Sequence, residues 1–122
     1  MKWIFNIVFF IFGTLLFFSC TNHNEFDLFG EEVCDTTNIT WEGTIADILQ
    51  TNCVVCHGSV TSYNNVRHDS YEAVRVVVDD GRLRGVINHQ SGFVPMPYER
   101  RQLPFCELLQ INIWLDNGAP EN

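Results

Sequence analysis

The chain has 122 residues, which is enough for one compact domain and too few for two. Seven Lys and Arg stand against fifteen Asp and Glu, a net charge of −8, and this argues against a nucleic-acid-binding surface or direct adhesion to anionic lipid headgroups. The acidity fits either solubility alone or a partner that presents a basic or neutral face.

Residues 1–19 open with one basic residue, Lys2, followed by an apolar run from Trp3 to Phe18 broken only by Asn6, Gly13 and Thr14. This is the shape of a signal peptide. The run is shorter than the roughly 20 residues that a spanning helix needs, and a permanent anchor helix is the competing reading. Phe17-Phe18-Ser19-Cys20 resembles a bacterial lipobox, in which a small residue precedes a cysteine that is acylated and becomes the new N-terminus. That resemblance implies a lipoprotein-type signal over 1–19, a lipid on Cys20 and export. Phe17 and Phe18 depart from the commoner Leu and small residue, so ordinary cleavage near Ser19 stays open. Thr21 is not the aspartate that marks inner-membrane retention, so the periplasmic face of the outer membrane is the preferred location.

Cleavage before Cys20 removes the only lysine and leaves 103 residues (122 less 19) with a net charge of −9. The lipidated end and the polar, acidic stretch after it, residues 20–33, read as a flexible tether. A single domain is expected over 34–122, all-α, as a monomer.

The first helix is expected from Thr44 to Asn52, with Thr44 as N-cap, Asp47 three residues on, and Ile45, Ile48 and Leu49 on its apolar side. It runs into Cys53-Val54-Val55-Cys56-His57, a C-x-x-C-H sequence, which is the form of a c-type haem attachment site. Two thiols three residues apart lie near one another on a helical turn, and His57 falls on the same side as Cys53. Both thiols can then bond to one haem while the imidazole offers a nitrogen to its iron. The alternatives are a thioredoxin-like dithiol, half a zinc site, or chance. The first needs a βαβ context that is absent, and the second needs another closely spaced ligand pair.

A second helix is expected over Tyr71–Val78 after a cap at Asp69 or Ser70, although Val76-Val77-Val78 also suits a strand. Arg82 to Asn88 reads as a short helix after the turn at Asp79-Asp80-Gly81. Gly92, Pro95 and Pro97 make His89 to Leu103 a loop. The last helix starts with Pro104 in its first turn, draws on Leu108, Leu109, Ile111, Trp114 and Leu115, and ends at Gly118.

Met96 is the leading candidate for the second axial position on the iron, held between two prolines. His89 is a rival, an open position is a third reading, and core filling is the plain alternative for a methionine. His68 and His23 read as solvent-facing. Arg82 and Arg84 can reach carboxylates such as haem propionates or can simply be solvated. With Cys20 assigned to lipid and Cys53 and Cys56 to haem, Cys34 and Cys106 remain as a disulfide pair or as two free buried thiols.

Cys34-Asp35, Thr44-Ile45-Ala46-Asp47-Ile48-Leu49, Gly81-Arg82-Leu83, Pro95-Met96-Pro97 and Trp114-Leu115-Asp116-Asn117-Gly118-Ala119-Pro120, taken with the C-x-x-C-H sequence, resemble a small monohaem cytochrome c of class I. The likeness is to short Bacteroidetes-type lipoprotein cytochromes with a planctomycete-type cytochrome c domain. It implies three to four helices around one covalent haem, thioether bonds at Cys53 and Cys56, and iron ligation by His57 and Met96. Trp114 would sit where the last helix crosses the first. Many class I members carry a proline after the histidine whose carbonyl takes the imidazole N–H; residues 58–94 contain none, which leaves that partner unassigned.

The expected function is electron transfer to protein redox partners rather than catalysis. A haem-based sensor or peroxidase-like enzyme with an open sixth site is the alternative, and a haem-free lipoprotein is the third reading.

Overall fold

The computed structural model describes residues 34–122. The expectations for the signal peptide, Cys20, His23 and the tether lie outside the described residues. Among these residues the fold is helical and contains no strand, so the all-α expectation holds at that level.

The chain enters through a π-helical turn, Trp41–Ile45, that continues directly into α1, Ala46–Asn52. Its cap is Thr40, whose hydroxyl accepts from the Gly43 N–H at 3.1 Å, and not Thr44 as the sequence pattern indicated. The correction has a simple cause: the extra turn buries Trp41 alongside Ile45, so the apolar face begins four residues earlier than the Ile45/Ile48/Leu49 spacing shows.

Helix α2 spans Tyr71–Asp79 and is capped by Ser70, which accepts from Ala73 N–H. Val74 and Val77 enter the core while Val76 stays exposed, a period of three to four that resolves the helix-or-strand ambiguity in favour of helix. Gly81, at φ +77°, makes the left-handed turn into α3, Arg82–Ile87. The region His89 to Leu103 contains no helix or strand.

Helix α4 spans Phe105–Asp116, with Pro104 as the residue before its first turn rather than within it. Ile111 and Trp114 are fully buried. Leu108 and Leu115 pack partly against the core. Trp114 lies 5.9 Å, centroid to centroid, from Trp41 at the entrance to α1, and Tyr71 packs edge-on against Trp41 at 5.4 Å. The chain end is fastened over this aromatic cluster, since Trp114 Nε1 donates to Pro120 O and Tyr71 Oη donates to Ala119 O. Cys34 and Cys106 form a disulfide with Cα atoms 5.3 Å apart, joining the start of the domain to α4.

Candidate cofactor site

Helix α1 does not stop sharply at Asn52. Cys53 N–H donates to Leu49 O at 2.8 Å, and the His57 N–H donates to Cys53 O at 2.9 Å, so the C-x-x-C-H stretch continues as loose helical turns. Helical spacing therefore brings Cys53 and His57 to one side. Gly58 allows the chain to turn away at once, because a Cβ there would stand 2.7 Å from Val54 O.

Cys53 is partly buried and Cys56 exposed, and both are free thiols. Burial, then the Glu107 carboxylate, then Cys56 push the Cys53 thiol up to about 11, so it is held protonated. Glu107 is fixed nearby by Asn52, whose amide donates to its carboxylate at 2.9 Å.

The loop from Gly58 to His68 folds back over the histidine. His68 N–H donates to His57 O at 2.7 Å, and Tyr63 N–H donates to Cys56 O at 3.2 Å. His57 Nδ1 lies 3.2 Å from Val66 O. A carbonyl only accepts, so Nδ1 carries the proton and Nε2 keeps its lone pair free. Val66 is thus the partner that the sequence left unassigned. A backbone carbonyl in an irregular loop leaves no side-chain signature, which is why it was missed.

His68 corrects a second expectation. It is not solvent-facing but 8% exposed, with its ring edge-on to His57 at 5.2 Å and its Nδ1 buried without a partner. Burial first, then His57, depress its pKa to about 4. The non-local bonds of the 58–68 loop bury it, and local sequence periodicity carries no trace of them.

Met96 lies in a segment bonded to α3. Its N–H donates to Val86 O at 3.0 Å, and its carbonyl accepts from His89 Nε2 at 3.0 Å. Cys53, Cys56, His57, His68 and Met96 all line one cavity of about 690 Å³. Its walls are otherwise mostly apolar, with Val55, Leu83, Val86, Ile87, Val94 and Leu103 among them. That volume falls within the roughly 300–1,000 Å³ typical of cofactor and ligand sites.

No family model, curated protein or solved structure matches the chain. The site is therefore read from its own chemistry. Among the described residues no three His, Cys, Asp or Glu side chains gather as a metal-ion site, and no helix is long and apolar enough to cross a membrane.

His89 is not part of the cavity lining; its ring bonds to the Met96 backbone instead. Arg82 pairs with Asp80, and Arg84 pairs with Asp116, and neither lines the cavity. Arg100 is the one Arg, Lys, Asp or Glu in the lining. The available sequence signal for it was its position four residues after Met96.

Proposed function

We propose that this chain is an exported, lipid-tethered c-type cytochrome that carries one covalent haem c and transfers single electrons, with a class I cytochrome c-like fold. The observation that carries this reading is the convergence of Cys53, Cys56, His57 and Met96 on one predominantly apolar cavity. Held by His57 and Met96, the iron of such a group would supply reversible one-electron oxidation and reduction.

The residues present fit such a group. Cys53 and Cys56 are free thiols that would hold the group through two thioether bonds, each made by adding S–H across a vinyl double bond with no oxidant or reductant required. His57 has Nε2 free because Val66 O holds the proton on Nδ1, which fixes both the tautomer and the ring plane. Met96 offers a thioether sulfur from a backbone secured at both its N–H and its carbonyl. Leu83, Ile87 and Leu103 are almost fully buried and exclude water from that side. Arg100 can pair with a carboxylate of the bound group.

A pyridine haemochrome assay with intact mass, on protein matured in a bacterium with cytochrome c assembly, tests the proposal. One haem per chain, retained on denaturation and lost in the double variant Cys53→Ala/Cys56→Ala, is the expected result. Unmodified thiols in such a host would overturn it.

Arg100 in the cavity lining favours a second reading, a small-ligand sensor or peroxidase-like enzyme. Carbon monoxide separates the two. Slow, weak binding in the parent and rapid binding in Met96→Ala support electron transfer; equally rapid binding in both supports the alternative.

A further inference from the structure

The strongest unassigned feature is the pair of backbone bonds that hold Met96. The segment carrying it has no regular secondary structure, so its own hydrogen bonding does not fix the thioether. Two groups from the end of α3 do. Val86 O accepts the Met96 N–H, and His89, three residues further on, returns its Nε2 to the Met96 carbonyl at 3.0 Å. A carbonyl only accepts, so Nε2 is the protonated nitrogen of that ring. His89 is at φ +50°, a left-handed conformation uncommon for a residue with a Cβ.

We propose that His89 is a positioning residue for the sixth ligand, closing the Met96 segment onto α3 through its Nε2–H bond to the Met96 carbonyl. This rests on the reading of Met96 as an axial ligand. His89 itself is exposed and does not line the cavity, so shortening its side chain opens no void there and acts on the iron only by loosening the Met96 backbone.

The test is an imidazole titration of the ferric holoprotein at one fixed pH, because external imidazole binds in proportion to the fraction of molecules in which Met96 has swung away. His89→Ala should raise the apparent affinity roughly 2- to 12-fold, the factor that one hydrogen bond carries, and weaken the far-red sulfur-to-iron absorption. His89→Gln, whose side-chain amide can donate from a similar position, should restore both. An affinity in His89→Ala equal to the parent, or no recovery in His89→Gln, overturns the positioning role and leaves Met96 as the ligand. If the parent binds imidazole as tightly as Met96→Ala, the ligand assignment fails and the role of His89 fails with it.

Discussion

Phe93 lies so close over Gly85 that a Cβ built on the glycine would stand 2.6 Å from three carbons of its ring. Gly85 lies within α3, where alanine would ordinarily stabilise by about 1 kcal/mol. Phe93 must move aside to admit it, and because its ring is 38% exposed it can do so without repacking the core, so the packing lost over Gly85 is of the same order as the helical gain. Gly85→Ala should therefore gain less than the about 1 kcal/mol of an unobstructed helical site in urea denaturation. In a Phe93→Ala background the same change should recover that gain, and a cycle without that coupling would show that the two residues do not oppose one another.

The Cys34–Cys106 bridge closes a sequence separation of 72 residues. Loop-closure entropy assigns such a crosslink about 4 kcal/mol, and strain or residual structure in the unfolded chain moves the outcome within about 2–5 kcal/mol. Cys34→Ser/Cys106→Ser should lower the denaturant midpoint accordingly. Dithiothreitol should lower the parent to the same value and leave the variant unchanged.

His68 sets an acid limit on the fold. Its folded pKa of about 4, set first by burial, lies below the ordinary 6.5, so between those values the unfolded chain binds a proton that the native chain refuses. Stability is complete above pH 6.5 and falls as pH drops toward 4, by on the order of 3 kcal/mol in total. His68→Phe should flatten this limb when denaturation midpoints are compared at pH 7 and 4.5. Parallel losses in parent and variant would assign the acid sensitivity to other groups.

Trp114 is fully buried, tilted against Trp41 at 5.9 Å between ring centroids, and bonded to Pro120 O at 2.8 Å. Trp114→Ala should cost about 3–5 kcal/mol, and Trp114→Phe less, since a ring remains while the N–H is lost. Thermal denaturation reads both. A Trp114→Phe variant as unstable as Trp114→Ala would give the Pro120 bond more weight than its packing.

Regular elements were legible where side-chain periodicity reports burial. Tyr71 to Val78, Arg82 to Asn88 and the last helix fall within a residue or two of their expected ends. The expectation at Thr44 failed because the π-helical turn breaks the simple spacing on which cap assignment relies. At the site, the thiols, His57 and Met96 are chemically conspicuous side chains, and all four line one cavity. Val66 O, the burial of His68 and the backbone bonds of Met96 were not legible, because they arise where irregular loops close on distant chain and backbone atoms look alike in every sequence.

The disulfide also determines where a mechanical load would travel. A pull from the amino-terminal side of Cys34 passes through sulfur into α4 at Cys106, bypassing the intervening residues. Every residue lining the cavity lies between those two cysteines in sequence. The pocket therefore sits inside a covalent strap, and traction applied at Cys34 is borne by the α4 anchorage around Trp114 before it can pry the pocket walls apart.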